Sequence, residues 1–447
     1  MPIKFHPNAE ANFNERAAEI KALLQRVTIA DDGTKEFVPN VHVAATLSPG
    51  DIKDMRHVGT IDSLSGELLD WRFQHNGAIY ALDKPACEQA RSLAYKVWMS
   101  QRKMVSKQSV FDELMHWIDP GVESIRTFCA HLVHIISPQL TIETHWVPIA
   151  HLHIQSEIRI GEVTFRAIDA GDIDSWSAEA LKHSQAEAQL IEGYFQTLRE
   201  KYGGFAAGVI DVEATPEYGA ISAYETVSQA VALLGIFGPS SVDIRQRTLT
   251  VPFGDYLLPH YDVWTQAKAG CVPRFIQHTK PPLIAAWILN DETIQAIKAA
   301  GLERVSEIFG LREINEFQAR LLKALLVFSR ANASESSADK VFFLSVALEM
   351  MLLKNDTESI QLALGDRLAF TMRTLPGERL AIVDLVKEVY KLRSKWVHHG
   401  EAPEENITIL NRFLTVAWEF FVTLIRNESR FKTVEDFIRA AEQIKYS

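Results

Sequence analysis

The chain has 447 residues, of which 47% are hydrophobic and 23% charged. These are ordinary globular values, enough for about two or three domains and too apolar for wholesale disorder. A formal net charge of −11 argues against a protein whose main task is coating nucleic acid, while leaving room for a small local basic site.

The N-terminal residues carry acids and amides early and lack an apolar signal core. Residues 13–27 have helical spacing. Residues 86–117 read as a further helix, with Leu93, Val97, Met104 and Leu114 among its apolar positions. Within it, Arg91, Lys96, Arg102, Lys103 and Lys107 stand beside Tyr95 and Trp98. This stretch reads as a solvated face with an aromatic core side, and secondarily as a phosphate contact.

The period then changes. Residues 140–147 and 149–168 are rich in Ile, Val and Thr, and the second stretch reads as two strands joined at Gly161-Glu162. A long helix is expected over 177–202, stopped by Gly203-Gly204, and another over 224–237, closed by Gly238-Pro239. Strand-like sequence returns around 247–253. From Asp291 onward the pattern is helical, with helices expected over 314–329, 338–353, 360–372, 380–397, 407–425 and 434–444. The division is therefore a mixed α+β N-terminal region, 1–290, with room for two subdomains, followed by an all-α bundle over 305–447.

Several chemistries are disfavoured. Cys87, Cys129 and Cys271 are few, scattered and odd in number, so neither a disulfide framework nor a cysteine zinc site is expected. His116, His131, His134, His145, His151 and His153 include pairs at metal-compatible spacing. No H-E-x-x-H and no carboxylate at a recognisable spacing joins them, so a metalloenzyme is the weakest reading and no metal or cofactor is expected. Tyr202-Gly203-Gly204 is not followed by G-K-[ST], and there is no G-x-S-x-G elbow. The longest apolar runs, 231–237 and 414–425, read as too short to span a bilayer. The expectation is a cytoplasmic protein in a reducing compartment, with no membrane partner.

The stretch that carries chemistry is YKLRSKWVHHGE, Tyr390 to Glu401. On a helix, Ile382, Leu385, Val386, Val389, Trp396 and Val397 fall on one stripe, and Arg393 falls near its middle; Lys391 and Lys395 face away. A guanidinium on an apolar stripe must be paired or line a cavity. His398 and His399 fall on opposite flanks, each about 120–140° from Arg393, so the wheel does not choose between them. Gly400 is the expected helix stop. The helix over 341–353 is apolar almost all round apart from Ser345 and Glu349, four residues apart on one face. Glu349 is the expected partner of Arg393. The bland reading of these residues is a buried pair that orients two helices, with His398 as a capping histidine.

Tyr390-x-x-Arg393-Ser394-x-x-Val397-His398, with Ala347-Leu348-Glu349 and the 362–367 segment upstream, resembles the R-x(4–6)-H signature of the HEPN superfamily, in its ApeA-like variety. The resemblance covers roughly residues 305–447. It implies a HEPN helical bundle and a metal-independent endoribonuclease working as a homodimer on RNA. Arg393 is then the phosphate clamp and His398 the acid/base. Glu349, Ser394 and Tyr390 are supporting groups. His399 also satisfies the loose spacing; the tighter V-H match favours His398. The resemblance further implies anti-phage defence or growth arrest of the abortive-infection type, with residues 1–290 sensing a phage or cellular trigger. The alternative within the family is a non-catalytic dimerisation or nucleotide-binding module coupled to the N-terminal region.

Overall fold

The fold is described from a computed structural model covering residues 3–27, 57–61, 68–76, 78–101, 104–122, 126–183, 187–246, 249–255, 262–266, 275–279, 286–334, 336–355, 357–399 and 406–446. Cys271, Arg102, Lys103 and Gly400, singled out above, lie outside these residues. The chain divides into two compact units: Met1–Glu143 with Asp211–Ser222, and Thr144–Ile210 with Ala223–Ser447.

The first unit opens with helix α1 (Pro7–Ala22). It begins earlier than its apolar periodicity because Pro7 sits at the first turn, where its missing N–H costs nothing. Strand β1 (Gln25–Val27) follows, then β2 (His57–Ile61), β3 (Leu68–His75) and β4 (Ala78–Leu82). They form an antiparallel sheet in the order β1-β4-β3-β2. The expected helix over 86–117 is two helices, α2 (Lys84–Ser100) and α3 (Lys107–Ile118). The break is set by caps: the Asp83 side chain accepts from Ala86 N, and Ser106 from Ser109 N at 2.9 Å. Helix α4 (Phe128–Ile136) completes the group, with Thr127 as its cap. Phe13, Ile20, Phe73, Leu82, Leu93, Leu114 and Phe128 form the core.

The second unit holds β5 (Thr141–Ala150, from Thr144), β6 (Leu152–Ile154), β7 (Ile158–Ile160) and β8 (Val163–Ala167). Helices α5 (Ala170–His183) and α6 (Ala188–Tyr202) follow, then β9 (Ala206–Ala214, as far as Ile210), α7 (Pro216–Gly235, from Ala223) and β10 (Val251–Pro252). The sheet order is β10-β5-β9-β8-β7. Strands β7 and β8 form the expected hairpin, turning at Gly161, whose φ is +60°. A Cβ there would come within 2.7 Å of the Phe309 ring, so close approach also demands glycine. The single helix expected over 177–202 is two helices, and Gly203-Gly204 does end the second, with the Gly203 N–H returning to Arg199 O. Strands β11 (Asp262–Gln266) and β12 (Phe275–Thr279) pair with each other, and β13 (Trp287–Leu289) runs parallel to β6.

From residue 291 the described residues contain helices and no strand: α8 (Asp291–Ala300), α9 (Leu302–Gly310), α10 (Glu316–Ala333), α11 (Ser337–Leu352), α12 (Ile360–Met372), α13 (Pro376–His399), α14 (Ile407–Asn427) and α15 (Val434–Tyr446). Helix α10 begins with a reciprocal capping box between Asn315 and Gln318. Helix α11 is central, packing on α10, α12, α13, α14 and α15. The broad division holds: mixed α and β structure first, helices alone at the end. The change of class at about residue 290 is not where the compact units part, because the Thr144–Ile210 strands and helices group with the helices that follow. Ser306 Oγ accepts from Gly161 N and donates to Arg159 O, both at 3.0 Å. The Lys340 ammonium, buried on α11, donates to the carbonyls of Ile244 and Gln246. Trp418 Nε1 donates to Ile236 O.

Short apolar runs suggested no span of membrane length, yet Ile407–Arg430 is long and apolar enough to cross a bilayer by length and composition. Polar residues such as Asn411 and Arg412 interrupt its runs without lowering its average enough. Its Phe413, Ala417, Phe420 and Leu424 are buried within the bundle, as the core helix of a globular unit also requires.

Candidate functional site

Helix α13 carries the signature residues. Ile382, Leu385, Val386 and Val389 are buried, and Lys391 and Lys395 are exposed, as the wheel requires. The buried stripe ends at Val389. Val397 is 56% exposed and Trp396 only half-buried, contrary to the wheel. Within one chain, the last turns of α13 outrun the buried part of the bundle.

Where the stripe ends, Arg393 meets α11. Its Nη1 donates to Glu349 Oε1 at 2.8 Å, and the Tyr390 hydroxyl donates to the same oxygen at 2.6 Å. The pair is half-buried, with the Arg393 and Glu349 side chains 21% and 18% exposed. The guanidinium carbon also lies 5.4 Å from the ring centres of Phe342 and Tyr390. Phe342 is seven residues before Glu349, hence on the same face of α11. That face, with Phe342, Phe343, Val346, Glu349 and Met350, is open to partly open, while Leu344, Ser345, Leu348 and Met351 are buried. The helix is therefore not buried all round; it keeps one apolar face beside the Arg393 pair.

Burial raises the Tyr390 phenol well above its ordinary range, and the hydrogen bond and charge of Glu349 push the same way; Arg393 and Ser345 oppose more weakly. Tyr390 is thus a permanent donor, unsuited to be a base. The Ser345 hydroxyl is fully buried and faces that phenol. Among the described residues Arg393 donates one N–H to one carboxylate oxygen, which leaves most of its five donors for a second ligand.

His398, His399 and Ser394 are exposed. The two imidazole centres stand 6.5 Å apart. Sequence spacing found Glu349, Tyr390 and Arg393, which the fold brings together. It did not find Phe342, whose ring under the guanidinium was signalled only by its seven-residue offset from Glu349. Nor did it find Arg367, which donates to Leu352 O at 2.5 Å and so pins the end of the helix that carries Glu349.

The other candidates resolve locally. His131 bonds Glu113 at 2.9 Å and lies 5.8 Å from the His116 ring. His153 Nδ1 pairs with Gly204 O and its ring stacks on Phe205. Among the described residues no three His, Cys, Asp or Glu side chains converge as a metal site would need. Arg91 and Lys96 on α2 are exposed, and Lys107 lies over the Tyr95 ring. Cys87 and Cys129 are buried; burial, with the Glu10 charge, pushes the Cys129 thiol up to about 12, which makes it unreactive. Comparison with family models, with curated proteins and with solved structures gives no match to this chain.

Proposed function

We propose that this chain is a metal-independent endoribonuclease of the HEPN type, acting as a homodimer in the cytoplasm in anti-phage defence or growth arrest. The observation that carries the reading is the half-open guanidinium of Arg393, held on one oxygen of Glu349 that Tyr390 also bonds. A saturated structural pair would have no donors to spare. This one presents a fixed cation at the surface, on the helix that ends in His398 and His399.

The chemistry follows from those groups. A base removes the proton from a ribose 2′-hydroxyl, whose oxygen attacks the adjacent phosphorus. The P–O5′ bond breaks, and an acid protonates the leaving oxygen. The products are a 2′,3′-cyclic phosphate and a 5′-hydroxyl. Arg393 offsets the charge that develops on the phosphoryl oxygens, and imidazole titrates in the range the proton transfers need. His398 supplies that imidazole, and His399 is the alternative that meets the same loose spacing. Five positions of helix separate Arg393 from His398, a rotation of about 140°, so a second chain completes the site. The open α11 face of Phe342, Phe343 and Val346, next to Glu349, supplies apolar surface for that second chain. On this reading, residues 1–290 sense a phage or cellular trigger.

A second reading, a non-catalytic dimerisation or nucleotide-binding module, is favoured by one observation: neither His398 nor His399 has a hydrogen-bonded partner to orient it among the described residues. Analysis of product ends tests the choice. Cleavage of a 5′-labelled RNA in EDTA is expected to leave cyclic phosphate and 5′-hydroxyl ends and to stop when the ribose at the cut carries no 2′-hydroxyl. Ends bearing 5′-phosphate, or cutting that survives the 2′-deoxy substitution, contradict the mechanism.

A further inference from the structure

A cavity of about 320 Å³ lies within the second unit, lined by α7, the β10 segment and the last turns of α10. That volume is at the lower end of small-molecule sites and suits a ligand of amino-acid size. Val231 of α7, Pro252 of β10 and Leu326 of α10 give it an apolar wall.

The polar lining is mostly acceptors. Asn332 is 5% exposed and lines the cavity. Its Nδ2 donates to Gly235 O at 3.2 Å and to Ser241 Oγ at 2.6 Å. A carbonyl only accepts, so the amide cannot be turned round, and Oδ1 stays buried with no partner among the described residues. A buried acceptor in that position is costly until a donor reaches it. Ser228 and Ser329 also line the cavity, and each spends its hydroxyl proton on its own helix. Ser228 donates to Tyr224 O at 2.7 Å and Ser329 to Leu326 O at 3.0 Å, so what each keeps for a ligand is lone pairs. Helix α7 ends at Gly235 and α10 at Ala333, and both residues line the cavity. Two helix C-termini, each the negative end of its dipole, meet there. Asp255 adds a carboxylate to the lining.

One group is of the opposite kind. Arg330 lines the same cavity, is exposed, and meets no carboxylate among the described residues. The lining therefore asks for a donor-rich cation beside Asn332 and offers a guanidinium to an anion where the wall is open.

We propose that this cavity binds a free α-amino acid with an apolar side chain. Its ammonium donates to Asn332 Oδ1 and the serine oxygens, its carboxylate pairs with Arg330, and its side chain lies on Val231 and Leu326. The proposal involves none of the signature residues and is independent of the ribonuclease reading.

Isothermal titration of the full chain tests it, with leucine, phenylalanine, isopentylamine and 4-methylpentanoate as probes. The last two keep the alkyl chain of leucine and each lacks one of its charges. Leucine or phenylalanine is expected to bind. Isopentylamine is expected to bind about tenfold more weakly than leucine, and 4-methylpentanoate at least about a hundredfold more weakly. Arg330→Gln is expected to weaken leucine binding about tenfold, with isopentylamine binding and the melting temperature unchanged. Arg312→Gln, at an exposed arginine outside the cavity, is expected to change none of these. No binding of either amino acid at millimolar concentration overturns the proposal. So does a singly charged analogue that binds as tightly as leucine, or an Arg330→Gln chain that holds leucine as well as wild type does.

Discussion

Two arginines of the helical bundle, Arg367 and Arg393, are both paired with glutamate, and they are paired differently. The Arg367 side chain is 8% exposed; it bonds both oxygens of Glu358, one of Glu442 and the carbonyl of Leu352. Arg393 is 21% exposed and bonds a single oxygen of Glu349. One guanidinium is nearly saturated, with four of its five donors in use; the other, among the described residues, is held at one corner. Pairing alone therefore does not separate a structural charge from a working one; the number of donors left over does.

The comparison can be broken at either arginine, and the largest effect belongs to the nearly saturated one. Arg367→Met leaves the half-buried Glu358 without its arginine and Glu442 with Lys354 alone, and is expected to cost about 3 kcal/mol in denaturant unfolding. Arg393→Ala leaves Glu349 with its Tyr390 bond and is expected to cost about 1–2 kcal/mol. Equal losses at the two sites would erase the distinction. Next is the open α11 face: Phe342→Glu is expected to give a folded monomer by light scattering, without RNA cleavage, and an unchanged dimer would remove that face from the interface. Tyr390→Phe keeps the ring and deletes the donor to Glu349. About 1 kcal/mol of stability is expected to go with it, with cleavage reduced but present.

Acid sharpens the contrast by a smaller margin. Arg367 holds the Glu358 carboxyl at about 2, against 4.5 for an unperturbed glutamate. A carboxyl whose folded pKa is depressed stabilises the fold above its unfolded value, and that stability is lost as pH falls from about 4.5 toward about 2. Wild type is expected to lose stability across that window, and Arg367→Met to lose less, because its Glu358 keeps only the weaker pull of Lys354. Parallel acid profiles in the two proteins would mean that Arg367 is not the cause.

How much of this was legible in the sequence depends on range. Helices from residue 314 on were readable within a few residues because their apolar runs are separated by turn residues, and some have a capped start, such as Asn315 with Gln318. The Glu349–Arg393 pair was readable because each is the odd charged residue on an apolar stripe, and burial forces such groups together. The sheet of β1 to β4 was missed although β2, β3 and β4 pair with their neighbours in the chain, His75 lying opposite Ala78; only β1, which pairs with β4 across about fifty residues, is beyond the reach of a local pattern. The break between α2 and α3 was missed because periodicity runs through it while the Ser106 cap ends it. Arg367 showed only as part of a segment; its partners Glu358 and Glu442 are nine and 75 residues away. No local pattern links them. Exposure of Val397 and Phe342 was hidden for a similar reason: apolar residues at helical spacing read as core whether or not a neighbour covers them.

The most direct measurement is RNA cleavage in EDTA by wild type beside Arg393→Ala and His398→Ala, each verified as folded and dimeric. Cutting by wild type alone, with each variant at least about a hundredfold slower, is the predicted result. Cutting that persists in both variants would return Arg393 to the class of Arg367, as a charge that only holds two helices together.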